Sequence, residues 1–185
     1  MRERSKDLRV RRTLTAVRKA FNDLVLTRNY SEISITDLTD KAGINRKTFY
    51  LHYSSLDDLV SEIEEEMSKE ILANIGEYAK NLNLNGCITN FYKYLESCSK
   101  VQKKLMCDQH YAFFYNDVTD MVLKSDEFSK FFTATKYPAI VRSYTKAITA
   151  IYMDWLNGEK ATDFTVLAET ASTLLENGYS GLTDK

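Results

Sequence analysis

Two adjacent cations, Arg46 and Lys47, are followed within five residues by Thr48, Tyr50 and His52, with Phe49 and Tyr53 as the apolar positions between and after them. On a short helix this pattern turns one aromatic face inward and leaves a surface of cations and hydrogen-bond donors. Arg and Lys can pair with guanine O6 and N7, and Thr and Tyr reach phosphates or thymine methyls, so such a helix suits the major groove of a duplex. The same residues also suit a solvated basic face. Composition alone does not separate these two readings.

The charge distribution bears on them. The 185-residue chain has a formal net charge of −1. Residues 1–53 hold 12 Lys and Arg against 6 Asp and Glu, whereas residues 54–185 hold 13 against 20. A basic amino-terminal module attracts polyanions and an acidic remainder does not, which divides the chain into a module at 1–53 and a second at 54–185.

The elements that must position the cations are legible as helices. One proline and six glycines in the whole chain point to an all-α fold. Leu14, Val17, Phe21 and Leu24 recur at helical spacing and predict a first helix over about 7–28, broken by Asn29 to Glu32. Ser34, with Asp37 three residues on, caps a second short helix that ends before Gly43. Asn45 caps a third over 46–53, and Gly43 between them allows the positive φ that a steep turn requires. The three form a helix-turn-helix in outline.

Ser54 and Ser55 open a long fourth helix with the stripe Leu59, Ile63, Met67, Ile71, Ile75 and Tyr78. At 1.5 Å per residue it is long enough to link the two modules rigidly. The apolar pattern resumes after Asn81–Gly86, in one helix with Ile88, Phe91, Tyr92 and Leu95 and another with Tyr111, Phe114, Val118 and Met121. Pro138 starts a helix that ends at Gly158, and a last one runs over 162–177, stopped by Gly178.

The stretch YSEISITDLTDKAGINRKTFYLHYSSLDDL, Tyr30 to Leu59, closely resembles the DNA-binding signature of the tetracycline-repressor (TetR) family. The match lies in Ala42-Gly43-Ile44-Asn45, Thr48-Phe49-Tyr50, His52-Tyr53 and Asp57-Asp58-Leu59, at the family spacing. It covers residues 10–60 strongly and the remainder only as a helical layout. The resemblance implies an amino-terminal three-helix DNA-binding domain followed by a larger helical ligand-binding and dimerisation domain. It implies that Ser34 and Thr36 approach backbone or bases, that Asn45, Arg46 and Lys47 read base edges, and that Thr48, Tyr50 and His52 hold phosphates. Leu56 stands where the family carries a lysine; Arg9, Arg11 and Arg12, read as a basic stretch before the first helix, can compensate along the backbone or in the minor groove. The implied function is a transcriptional regulator, a repressor released by a small-molecule effector, or alternatively one whose second domain binds a partner protein.

For the effector, the aromatic-rich segment 91–155 supplies Tyr94, Cys107, Tyr111, Phe114 and Tyr115 as candidate contacts. A homodimer reading a palindromic double-stranded operator is expected through Tyr144, Ile148, Ile151, Trp155, Leu167, Ala171 and Leu174 of the last two long helices. No G-x-S-x-G, H-E-x-x-H or phosphate-loop pattern occurs and only two histidines exist, so neither an enzyme nor a cofactor is expected. Cys107 and His110 share a helical spacing but lack a second pair for a tetrahedral metal site. Cys87, Cys98 and Cys107 form no C-x-x-C pair, and the start of the chain has no apolar leader segment. No stretch approaches the length of a membrane span, and the expectation is a cytoplasmic protein without membrane contact.

Overall fold

The computed structural model describes residues 2–158 and 162–182 as backbone, with side chains from Leu8 onward. Among them are ten α-helices, three 3-10 turns and no strand. No helix there is long and apolar enough to cross a membrane. Two compact units are present, one holding the residues up to Ile63 together with Ser99–Ala112, the other Glu64–Cys98 with the residues from Phe113 on.

In the first unit α1 is Arg2–Val25, α2 is Ile35–Ala42 and α3 is Arg46–Tyr50; α4, Leu56–Lys80, begins in this unit. Of the helical face read from the sequence, Val17, Phe21 and Leu24 are buried and Leu14 is half-buried; with Val25 of α1 they belong to the core that also holds Leu38 of α2, Phe49 of α3 and Leu59 of α4. Helix α6, Lys100–Cys107, packs on α1. A 3-10 turn, Gln109–Tyr111, follows it, and the Tyr111 hydroxyl donates to the Arg28 carbonyl at 2.9 Å. Segment 99–112 thus has its apolar side on the amino-terminal helices, whereas a cut between residues 53 and 54 leaves it with the second part. Buried Leu105, Met106, Cys107 and Tyr111 explain its placement.

The second unit contains the remainder of α4 with α5 (Leu84–Ser97), α7 (Ala112–Leu123), α8 (Ser129–Thr133), α9 (Pro138–Asn157) and α10 (Phe164–Ser180). Helix α10 packs against α5 and α9. Met67, Ile71 and Ile75 of the expected α4 stripe are buried, but Tyr78 is exposed. Its ring lies over Gly86, where an added Cβ would come within 2.2 Å of it. Tyrosines span the core and satisfy their hydroxyls on backbone carbonyls: Tyr92 on Ile148 at 2.8 Å and Tyr179 on Phe131 at 2.8 Å. Burial pushes both phenols above their ordinary range.

Several helix ends differ from the sequence reading. Helix α1 starts at Arg2, so Arg9, Arg11 and Arg12 lie within it and not before it. Helix α3 ends at Tyr50. Helix α5 begins at Leu84, because the Asn83 side chain accepts the Gly86 N–H at 2.8 Å and makes an earlier cap than the apolar pattern suggests. Gly178 does not stop the last helix. It sits inside α10, where the Tyr144 ring occupies the space of a Cβ at 2.5 Å, so a close approach and no break is what requires glycine there. Asp163 caps that helix by accepting the Thr165 N–H at 2.7 Å.

Candidate functional site

The turn between α2 and α3 is set by backbone chemistry. Gly43 has φ 65° and ψ 34°, in the left-handed region. Its N–H donates to the Asp40 carbonyl at 3.2 Å and that of Ile44 to the Thr39 carbonyl at 3.0 Å, the paired closure of a Schellman motif. Nothing lies within 4 Å of where a Cβ at Gly43 would be, so only φ selects glycine. Gly43→Ala is expected to lower stability by about 1 kcal/mol and Gly43→Asn by less, because Asn tolerates the left-handed region. Thermal unfolding of the two variants, with equal losses counting against this cause, is the check.

Both caps of the motif form as the sequence indicates. The Ser34 hydroxyl accepts the Asp37 N–H at 3.1 Å, and Asp37 in turn accepts from the Ser34 N–H at 3.2 Å. Asp37 also pairs with Arg28 at 3.0 Å. The Ser34 hydroxyl first, and then Arg28, hold the Asp37 carboxyl below the usual carboxylate range. Asn45 Oδ1 accepts the Lys47 N–H at 2.8 Å. Ser34 and Asn45, both expected to approach DNA, therefore use a side-chain oxygen to fix the start of α2 and α3.

Five of the acids around the motif are engaged in holding it. Glu62 accepts from the Arg18 guanidinium at 3.1 Å and from the Tyr53 hydroxyl at 3.0 Å. Asp23 pairs with Lys41 at 3.7 Å, Asp57 accepts from the Tyr30 hydroxyl, and Asp58 accepts from Ser54. Phe49 is fully buried, against Tyr53 at 5.4 Å between ring centroids. Arg46, Lys47 and Tyr50 are exposed, Arg46 and Tyr50 one turn apart and Lys47 opposite Phe49. Among the described residues neither Arg46 nor Lys47 has a carboxylate within ion-pair distance. The arrangement leaves two adjacent uncompensated cations on the first turn of a helix fixed at both ends.

Thr36, Asn45 and Ser34 are exposed; Thr48 and His52 are half-buried. Arg9, Arg11 and Arg12 are exposed on α1, with Arg9 and Arg12 at the i,i+3 spacing that shares a face. Leu56 is half-buried as the first residue of α4. Leu51, 79% exposed just after α3, is an apolar surface residue the sequence reading did not single out.

The second unit contains a partly open cavity of about 40 Å³, lined among others by Ile71, Ile75, Ile88, Phe91, Val122 and Leu175. Tyr94, Cys107, Tyr111, Phe114 and Tyr115 do not line it. Cys107 and Tyr111 are buried in the first unit. Tyr94 donates to Glu70 at 2.8 Å, and Tyr115 to the Lys146 carbonyl at 3.1 Å, so their polar ends are already satisfied within the protein. Apolar helix positions that look like ordinary core line the space instead, and no sequence signal separates a core wall from a cavity wall. No group of Cys, His and carboxylates among the described residues could hold a metal; His110 hydrogen-bonds Asp108 at 2.9 Å.

Of the residues expected between two copies, Ile148, Leu167 and Ala171 are buried within one chain. Tyr144, Ile151 and Trp155 are half-buried, and Leu174 is exposed. The outward stripe of α9 runs through Ile140, Tyr144, Ala147, Ile151 and Trp155, and that of α10 through Val166, Thr170 and Leu174. Ile140 and Val166 are 60% and 50% exposed.

No protein-family model matches the chain. Over 75 residues it is 36% identical to an uncharacterised HTH-type transcriptional regulator, YxbF, of Bacillus subtilis strain 168, covering 40% of this chain and 20% of that one. Over 66 residues it is 33% identical to DhaS, the HTH-type dhaKLM operon transcriptional activator of Lactococcus lactis, covering 36% of this chain and 35% of that one. The chain thus spans about a fifth to about a third of the length of these curated relatives. Solved structures match nearly throughout. A TetR transcriptional regulator from Streptococcus agalactiae 2603V superposes with a TM-score of 0.71 at 18% identity, over 94% of this chain and 98% of that one. NalD, the secondary repressor of the MexAB-OprM multidrug efflux pump in Pseudomonas aeruginosa, superposes with a TM-score of 0.60 at 20% identity, over 94% and 96%. The chain has the fold of the TetR transcriptional regulators.

Proposed function

We propose that this protein is a sequence-specific DNA-binding transcriptional regulator that works as a homodimer on a palindromic operator and represses until an effector releases it. The observation that carries the reading is the pair Arg46 and Lys47, exposed and, among the described residues, without carboxylate partners at the start of α3, while Glu62, Asp37, Asp23, Asp57 and Asp58 are occupied by Arg18, Arg28, Lys41 and serine or tyrosine hydroxyls. An uncompensated cation pair on a rigid short helix matches the base edges of a major groove. The sequence likeness to YxbF, named an HTH-type transcriptional regulator, and to DhaS, named an HTH-type transcriptional activator, supports the DNA-binding and regulatory part of this reading. Ser34 and Thr36 approach the backbone or bases of the duplex, Thr48, Tyr50 and His52, with Arg9, Arg11 and Arg12 of α1, hold its backbone, and Asn45 reads base edges beside Arg46 and Lys47 through its amide nitrogen. Selection of a bound operator from a random-sequence DNA pool tests this. An enriched palindrome is expected; equal retention of all sequences is the result that would sink it.

In the dimer the two copies meet through the outward stripes of α9 and α10, where exposed Ile140, Val166 and Leu174 continue Tyr144, Ile151 and Trp155. Two helices from each copy make a four-helix contact, and each recognition helix then faces one half-site, with half-sites about 34 Å or somewhat more apart. Ile140→Glu together with Val166→Glu is expected to give a folded monomer in sedimentation, since both side chains are exposed in the single chain and the substitutions add charge only where the copies meet. A dimer that survives the double substitution unchanged would move the interface elsewhere.

The effector acts through the second unit, and α4, one continuous helix from Leu56 to Lys80, carries the change toward α3. Effector and DNA must then weaken each other's binding by the same factor. The cavity among Ile71, Ile88 and Val122 favours a small molecule over a partner protein as the effector. An operator affinity that responds to a protein and to no small molecule would reverse that choice.

A further inference from the structure

We infer that the cavity of the second unit is a binding site for a small, uncharged, wholly apolar molecule, recognised by shape without a hydrogen bond. The inference rests on reading the second unit as the regulatory part. Of the fourteen residues that line the cavity none is charged, and eleven are aliphatic, aromatic or cysteine. The other three are threonines, and each has its hydroxyl committed away from the space. Thr119 donates to the Tyr115 carbonyl at 2.7 Å, Thr145 to the Val141 carbonyl at 2.8 Å and Thr149 to the Lys146 carbonyl at 2.9 Å. These are bonds back along their own helices, α7 and α9, and they occupy the hydroxyl hydrogens that a ligand would otherwise use.

Cys87 is the one remaining heteroatom on the wall. Burial pushes its thiol up to about 12, so it stays neutral and offers a soft, polarisable surface and no charge. A carboxylate or ammonium group entering this space would lose its hydration with no partner to replace it. An alcohol would have to break a threonine back-bond or leave its own hydroxyl unsatisfied. A space of about 40 Å³ exceeds the roughly 10–15 Å³ that one water needs, yet it has no polar atoms to hold water. A larger engineered apolar cavity, of about 150 Å³, stays dry and takes benzene or xenon, so this smaller apolar space suits a ligand of few heavy atoms.

The test uses the full chain and four probes: xenon, cyclopentane, butan-1-ol and butyrate. Binding is read from the methyl NMR signals of Ile75, Ile88, Val122 and Leu175, and operator affinity is measured in parallel. Xenon and cyclopentane are expected to shift these methyl signals saturably; butyrate shifts none of them and butan-1-ol binds more weakly than cyclopentane. Thr145→Val should leave cyclopentane binding unchanged, because the isosteric replacement removes only a hydroxyl that the ligand does not use. Val122→Phe should fill the space and abolish both apolar probes. If the Phe variant does not fold, the probe series and Thr145→Val still decide. Tighter binding of butan-1-ol or butyrate than of cyclopentane, or a loss of binding in Thr145→Val, would overturn recognition by shape. Absence of any saturable shift with xenon and cyclopentane would overturn the site itself. Apolar binding that leaves operator affinity unchanged would instead retain the site and refute the effector role proposed above.

Discussion

Arg46→Ala is expected to cost about 1–3 kcal/mol of affinity on the best operator, to relax preference at one base pair, and to leave the unfolding midpoint where it was. The first two effects follow if Arg46 forms a bidentate pair with a base edge, since only sequences offering that edge lose anything. The third follows from the structure, in which the Arg46 side chain is exposed and has no ion-pair partner among the described residues. Arg12→Ala on α1 should behave differently: a phosphate contact is lost on every sequence, so affinity falls uniformly and the slope of log affinity against log salt becomes shallower by about 1. Titration of cognate and single-base-variant operators at several salt concentrations separates the two. A uniform loss for Arg46→Ala combined with altered base preference for Arg12→Ala would exchange the roles assigned to α3 and α1.

Phe49→Ala should destabilise the first unit by about 3–5 kcal/mol, the cost of emptying a fully buried aromatic site. Its ring sits in the same core as buried Phe21, Leu38 and Leu59, and stacks edgewise on Tyr50 at 5.6 Å and obliquely on Tyr53 at 5.4 Å. The helix it belongs to is only five residues long, too short to persist in water without that anchor. DNA affinity is therefore lost through disorder of α3, with the midpoint of unfolding falling at the same time. Phe49→Leu, which keeps most of the buried volume, should recover much of both. The comparison with Arg46→Ala is informative because the two residues lie three positions apart: one removes a contact from a standing helix, the other removes the helix. Unfolding followed by circular dichroism alongside operator titration reads both quantities, and a Phe49→Ala protein that keeps its midpoint while losing DNA would contradict the anchoring role.

Local chemistry was decided by the sequence. Ser34 with Asp37, Gly43, and Asn45 act within three or four residues of themselves, and caps and a left-handed turn residue have the same effect wherever the helix they bound is placed. Exposed Lys47 was legible for the same reason, because it stands two residues from buried Phe49 and so on the opposite side of the helix, while Arg46 is exposed at the helix start. Tertiary structure decided what depended on which surfaces meet. Gly178 reads as a helix stop until the Tyr144 ring is found filling the place of its Cβ, and segment 99–112 joins the amino-terminal core through Tyr111 and Leu105, residues no different in type from those of the helices around them. Periodicity marks a face as apolar without saying whether a helix of the same chain, a second copy or a cavity covers it. Ile148, Leu167 and Ala171 therefore turn inward where a copy was expected, and the cavity is walled by Ile71, Ile88 and Val122 and not by the tyrosines, whose hydroxyls the core had already claimed.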